Sequence, residues 1–153
     1  MLFRSVGGLK MAHAYSQVLE GGLAIVAKRR KNASEIEAMT VIGEIRGKNV
    51  LMVDDLTETA GTLTNAATLL RKRGARKIIA CVSHAILNDL GIERLRKSKI
   101  DELITTDSVL RPAIDGVSIT TLSVASLLGE AIKRIHSNSS VTSLFAFKGA
   151  RTS

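Results

Sequence analysis

VLMVDDLTETAGTL, residues 50–63, is the stretch from which the rest of the chain can be read. Val50, Leu51, Met52 and Val53 form an uninterrupted apolar run, the pattern of a parallel strand buried on both faces rather than of a half-exposed one. Asp54 and Asp55 follow directly. Thr57, Glu58, Thr59, Ala60, Gly61 and Thr62 then supply small and hydroxylic residues that expose backbone N–H groups at the start of a helix predicted near Leu63. Thr and Gly before a helix are also ordinary capping chemistry, and acids favour first turns. Two adjacent acids at the end of a fully apolar strand go beyond capping. Carboxylates there can hold sugar hydroxyls or a metal, while amides and threonine hydroxyls beside a helix N-terminus hold a phosphate. The ligand this combination points to is a sugar phosphate.

Downstream, the spacing of Leu63, Ala66, Ala67, Leu69 and Leu70 predicts a helix over 62–73 that faces a sheet, with Gly74 ending it. Lys77 to Val82 is the next strand, which makes strand, helix and strand a βαβ crossover of ordinary size. Ser83-His84-Ala85 then follows, where a polar side chain at a strand's carboxyl end can face a ligand, although a single histidine is more often a structural hydrogen-bonding group. Further on, the pattern predicts a helix over 90–96, strands over 102–105 and 117–122, and a helix over 124–135, with Pro112 and Gly116 in the loop between the last two strands. Upstream, Leu23 to Ala27 reads as a buried strand running into the cations Lys28, Arg29, Arg30 and Lys31. Residues 32–47 read as a β-hairpin flap carrying Met39, Val41, Ile42 and Ile45, and Gly7-Gly8 introduces a helical pattern over 9–19. The expected fold class is α/β, a parallel sheet with helices on both faces and a flexible flap.

Composition bounds the function. At 153 residues, 45% of them hydrophobic, the chain suits one domain with ample material for a core. The net charge of +8 is compatible with nucleic acid, but aromatics are only 3% and no zinc or helix-turn-helix signature appears. Phosphorylated small molecules account for it equally well, so no nucleic-acid partner is expected. The charge is concentrated in residues 28–31, 71–77 and 94–99; such runs are mostly solvated faces, and only the first is expected to matter chemically. Cys81, within the apolar run 78–82, reads as a buried small hydrophobe rather than a nucleophile. With no signal-peptide pattern and no membrane span, a cytoplasmic location is expected.

The ordered string from Asp54 to Thr62 resembles the phosphoribosyl pyrophosphate (PRPP) loop of the type I phosphoribosyltransferase fold, in the version found in ribose-phosphate pyrophosphokinases, the PRPP synthetases. Lys28-Arg29-Arg30 is similar to that family's segment at the base of a flexible catalytic loop, and Ser139 to Phe145 is similar to its C-terminal segment. The resemblance runs from Gly7 to Phe145 and matches the C-terminal half of the family; it implies one phosphoribosyltransferase-like domain over 1–145, with a disordered tail over 146–153. It implies transfer of diphosphate from ATP to the C1 hydroxyl of ribose 5-phosphate, giving PRPP and AMP with Mg2+. Lys28 and Arg30 would act on the transferring diphosphate, where mobile cations stabilise charge on equatorial oxygens. Asp54 and Asp55 would contact the ribose hydroxyls and help order the metal, and Thr59, Ala60, Gly61 and Thr62 would hold the 5-phosphate. Ser139, Ser140, Val141, Ser143 and Phe145 would belong to an allosteric phosphate and nucleotide site between subunits of a homo-oligomer.

Two departures accompany the match. The residues before the glycines are Phe3, Arg4 and Ser5 where the family has Ser-Pro-Asp, so the magnesium-binding carboxylate is Ser5 here and no metal ligand is assigned. Glu58 stands where the family usually has Asp, which puts ribose affinity at risk. In that family the N-terminal half carries most of the ATP-binding surface, so two alternatives stay open. One is a small phosphoribosyltransferase that uses PRPP with a base; the other is a non-catalytic regulator or partner of a full-length synthetase or of a separate N-terminal half. The cradle itself makes a prediction. Gly61→Val would place a branched side chain in it and abolish sugar-phosphate binding, and unchanged affinity in calorimetric titration would reject the cradle.

Overall fold

The computed structural model describes residues 6–29, 38–110 and 114–145. The described elements are α1 (Val6–Val18), β1 (Ile25–Arg29), β2 (Ala38–Ile42), β3 (Asn49–Thr57), α2 (Gly61–Lys72), β4 (Lys77–Ala85), α3 (Asp89–Arg96), β5 (Glu102–Thr106), β6 (Ile119–Leu122), α4 (Ala125–His136) and a short 3-10 turn, Thr142–Phe145. Strands β3, β4, β5 and β6 form a parallel sheet in that order, and β1 and β2 form a separate antiparallel pair.

The unbroken apolar character of β3 is explained by burial on both faces. Val50 and Met52 pack into the main core with Leu63, Ala66, Ala67 and Leu70 of α2 and with Ile78, Ala80 and Val82 of β4. Leu51 and Val53 point the other way, to Met11, Ala12 and Tyr15 of α1. Helices therefore cover both faces. Leu63, Ala66, Ala67 and Leu70 recur at the spacing that puts one stripe of a helix on a sheet. Gly74, at φ +88°, ends this segment in a backbone conformation that L side chains rarely adopt, and its carbonyl accepts from Gly47 N–H at 2.8 Å. In contrast α4 buries none of its residues; Leu127, Leu128, Ile132 and Ile135 are all at least half exposed.

Several boundaries differ from the sequence reading, each for a reason of pairing or packing. The α1 helix starts at Val6 and contains Gly7 and Gly8 instead of following them. First-turn N–H groups have no intrahelical partner in any case, so glycines there interrupt no bond of their own. β1 begins at Ile25, and its ladder with β2 runs on through Lys28↔Met39 and Arg29↔Ala38, so the cationic run starts inside the strand rather than after it. The flap is thus a hairpin, with its connection outside the described residues. β3 and β4 likewise extend beyond their apolar runs, pairing Asp54↔Val82, Leu56↔His84 and Thr57↔Ala85. Asp54, Asp55, Ser83 and His84 are strand residues.

Cys81 is half-buried and hydrogen-bonded to Tyr15. Burial pushes its thiol pKa up against the lowering effect of that hydrogen bond, so it stays a protonated packing residue at neutral pH. Below the sheet, Arg71 in the last turn of α2 acts as a staple. Its guanidinium donates to Ala75 O at 3.1 Å, Arg76 O at 2.6 Å and Lys99 O at 3.2 Å, and to Asp101 Oδ2 at 2.6 Å. The same Asp101 oxygen accepts Ile78 N–H at 2.6 Å, which ties the start of β4 to the approach of β5.

Burial opposes the Asp101 carboxylate, but Ile78 N–H and Arg71 outweigh it and hold its pKa below the ordinary value. A carboxylate with a depressed folded-state pKa contributes stability that is present above its unfolded value and lost as pH falls through its folded one. Asp101→Asn is expected to cost about 1–2 kcal/mol in urea denaturation at pH 7, allowing for solvent screening of a partly exposed pair. The difference from the parent should shrink as pH drops below about 3.9. An equal difference at pH 7 and at low pH would show that the ion pair is not its source.

Candidate sugar-phosphate site

The carboxyl end of β3, the loop over residues 58–60 and the first turn of α2 form the candidate site. Its geometry follows from where each backbone group finds a partner, since few buried peptide groups go unpaired. Three successive carbonyls are taken up from one side, by the segment that leads from β4 into α3. Ile86 N–H donates to Thr57 O at 3.0 Å and Asn88 N–H to Glu58 O at 3.3 Å, and Arg94 Nη1 donates to Thr59 O at 3.1 Å. The next carbonyl, Ala60 O, accepts both Thr64 N–H and Thr64 Oγ1 at 2.9 Å. The N–H groups of Thr59, Ala60, Gly61, Thr62 and Leu63 find no acceptor among the described residues. Amides left without acceptors at a helix N-terminus are the chemistry by which such loops can receive an anion.

Ordinary capping does not explain this loop. The N-cap residue of α2 is Ala60, with no side-chain cap, and it sits in the left-handed region at φ 51° and ψ 8°. That conformation costs a non-glycine residue about 1–2 kcal/mol and turns the chain abruptly into the helix. Ala60 is buried in the core cluster beside Leu63, so packing holds the turn in place. Thr59 is exposed and Thr62 partly so, and both lie at the mouth of the loop.

Asp54 and Asp55 occupy the last turns of the β3 ladder rather than a loop after it. Asp54 Oδ1 accepts Asp55 N–H at 3.1 Å and Asp55 Oδ1 accepts Leu56 N–H at 2.8 Å, which orients both carboxylates against their own backbone. Successive strand residues alternate sides, so the two acids address different atoms of anything lying over the strand end. Glu58 is exposed, beyond the carbonyl that Asn88 holds. Among the described residues no three His, Cys, Asp or Glu side chains converge as a metal-binding group. The acids present suit a magnesium ion that shares one or two carboxylates with substrate phosphates, not an all-protein cage.

The other sequence candidates lie elsewhere. Lys28 is a β1 residue whose backbone pairs with Met39, while Arg30 and Ser5 fall outside the described residues. His84 Nδ1 is 2.8 Å from Ser108 Oγ, and Ser108 and Thr106 both donate to Ser83 O, a network at the carboxyl ends of β4 and β5. Ser139, Ser140, Val141, Ser143 and Phe145 follow α4, where Arg134 Nη1 donates to Ser140 O at 3.2 Å and to Ser143 Oγ. The tail over 146–153 lies outside the described residues.

Sequence reasoning missed the α3 side of the site. Asn88 caps α3 by accepting Gly91 N–H at 2.9 Å, a signal legible as Asn before a helical pattern. That Arg94 reaches back across 35 positions to Thr59 carried no such signal.

This arrangement defines a class of protein, the α/β domains that place a loop of outward-facing amides between the carboxyl end of a parallel strand and a helix N-terminus. The comparisons then narrow the class. The family model described as the phosphoribosyl synthetase-associated domain matches residues 30–146, and the chain belongs to that family. A ribose-phosphate pyrophosphokinase of Chlorobaculum tepidum is 43% identical over 143 residues, covering 94% of this chain and 44% of its relative. One from Porphyromonas gingivalis is 44% identical, with 93% and 45% covered. Among solved structures, the phosphoribosylpyrophosphate synthetase from Mycobacterium smegmatis superposes with a TM-score of 0.78 at 30% identity, covering 90% of this chain and 44% of that one. The chain thus spans a little under half the length of the relatives it matches. No helix among the described residues is long and apolar enough to cross a membrane.

Gly91 provides a test of the loop's support. A Cβ there would run into Glu58 O and lie 3.2 Å from Leu87 Cδ2. In an open helix Gly→Ala would stabilise by about 1 kcal/mol. Here Gly91→Ala is expected to destabilise by about 1–3 kcal/mol, because the backbone carbonyl it meets has no flexible end to move aside. Increased stability in urea denaturation would show that α3 does not press on the loop.

Proposed function

We propose that this chain is the sugar-phosphate-binding half of a ribose-phosphate pyrophosphokinase, serving diphosphate transfer from ATP to the C1 hydroxyl of ribose 5-phosphate to give PRPP and AMP. The observation that carries the reading is the loop whose carbonyls are held from behind while the amides of residues 59–63 find no acceptor among the described residues, at the end of a strand that carries two aspartates. In this reading the amides and hydroxyls of Thr59, Ala60, Gly61 and Thr62 bind the 5-phosphate, aided by the positive end of α2. Asp54 and Asp55 accept the ribose hydroxyls and orient the C1 oxygen. Glu58 sits at the exposed rim, where its extra methylene carries the carboxylate outward from the family's aspartate position.

Diphosphate transfer forms a bond from the C1 oxygen to the β-phosphorus of ATP and breaks the bridge to the α-phosphorus, so charge accumulates on the transferring oxygens. Lys28 and Arg30 are the cations assigned to that charge. Magnesium, brought with ATP and held in part by Asp54 and Asp55, would supply neutralisation of the diphosphate oxygens. The ATP surface is assigned to a partner half or a neighbouring subunit of a cytoplasmic oligomer, with Ser139, Ser140, Val141, Ser143 and Phe145 as its regulatory contact. Residues 1–145 are one domain in this scheme.

The test pairs two measurements on the purified chain: calorimetric titration with ribose 5-phosphate, and AMP formation from ATP and ribose 5-phosphate with magnesium. Binding is the expected result, and turnover as well would make the chain itself a synthetase. Binding without turnover would mark the half that needs a complement. Absence of binding would overturn the sugar-phosphate reading and leave the regulator.

A further inference from the structure

The guanidinium of Arg94 lies at what is, for a cation, the unfavourable end of α2. Helix dipoles favour cations at C-termini and anions at N-termini, yet Arg94 reaches from α3 to the loop that opens α2. Its side chain is exposed, so burial does not force it there. Gly61 shows how close it comes. A Cβ on Gly61 would stand 2.8 Å from Arg94 Nη1 and 3.5 Å from its Cζ, and no positive φ requires glycine at this position. The closest atoms met are the mobile end of an arginine, so a Cβ at Gly61 would displace the guanidinium from the loop rather than the loop itself.

We propose that Arg94 is a positioning residue that clamps the phosphate loop. It holds Thr59 O so that the following amides face outward, and its charge at the helix N-terminus is matched only when an anion occupies the loop. Ile86 and Asn88 already fix the two preceding carbonyls through backbone N–H groups; Arg94 extends that row by one peptide through a side chain. The loop amides suit a phosphate ester and the guanidinium supports them from behind; the sugar-phosphate assignment rests on the function proposed above. Binding should draw clamp and loop together, because the anion relieves the unfavourable approach of cation and helix end.

The test uses the purified chain with Arg94→Ala, Gly61→Ala and the double variant, after urea denaturation has shown each to be folded. NMR hydrogen exchange is read at Asn88 and Thr64, whose N–H groups donate to Glu58 O and Ala60 O on either side of Thr59. Arg94→Ala should speed exchange at both, and weaken ribose 5-phosphate about tenfold, the scale of one charge-assisted hydrogen bond. Gly61→Ala should weaken ribose 5-phosphate binding in the parent but much less when Arg94 is already alanine; a cycle that is non-additive in urea stability alone and additive in binding would mark the arginine as purely structural and overturn the clamp. Unchanged exchange together with an additive cycle overturns the clamp. If the parent chain binds no ribose 5-phosphate while exchange still responds to Arg94→Ala and to Gly61→Ala non-additively, the clamp stands and the sugar-phosphate assignment falls.

Discussion

Peptide carbonyls have to be satisfied from somewhere, and in this protein the source of the donors decides which way the loop after β3 faces. Thr57, Glu58 and Thr59 present their carbonyls to the β4–α3 segment, and Ala60 presents its own to Thr64. Each of those bonds depends on an element laid down elsewhere. The register of the β3–β4 ladder, ending at Thr57↔Ala85, brings Ile86 beside Thr57. The Asn88 cap starts α3 where Gly91 can lie against the Glu58 carbonyl. Once the carbonyls are occupied behind the loop, the amides are left on the outer side at a helix N-terminus. The functional polarity of the site is a consequence of hydrogen-bond accounting in its support.

The same economy governs the basic residues. A net charge of +8 invites the view that the cationic runs are solvated faces with one catalytic exception. Several of the arginines do otherwise, Arg71 and Arg94 among them. Arg71 gathers carbonyls from the α2–β4 turn and the approach to β5 and pairs with Asp101, while Arg94 serves the loop at the opposite end of the sheet. Arginine suits both tasks, because its planar fork offers several donors at once and its charge persists whatever the surroundings. The composition of the chain thus reflects its internal wiring as much as its ligand. In the same way Cys81, next to strand residues that line the core, is kept inert by burial against Tyr15 rather than poised for chemistry.

One part of this protein follows from local pattern alone. The apolar run of β3, the i, i+3, i+4, i+7 stripe of α2 and the alternation of strands with helices were each legible, because burial on two faces or along one stripe leaves a periodic trace. The string from Asp54 to Thr62 was legible as a strand end, a tight loop and a helix start because an apolar run, acids and small residues occur there in order. Tertiary structure sets where the strands end: the ladder with β2 carries β1 into its cations, and the ladder with β4, on the far side of α2, carries β3 past its aspartates. It also decided that Ala60 adopts the left-handed turn, which core packing enforces and its residue type disfavours. Above all it brought Arg94 to Thr59, a contact between side chain and backbone that leaves no periodicity, composition or spacing in the sequence, because only the packing of α3 against α2 and the loop creates it.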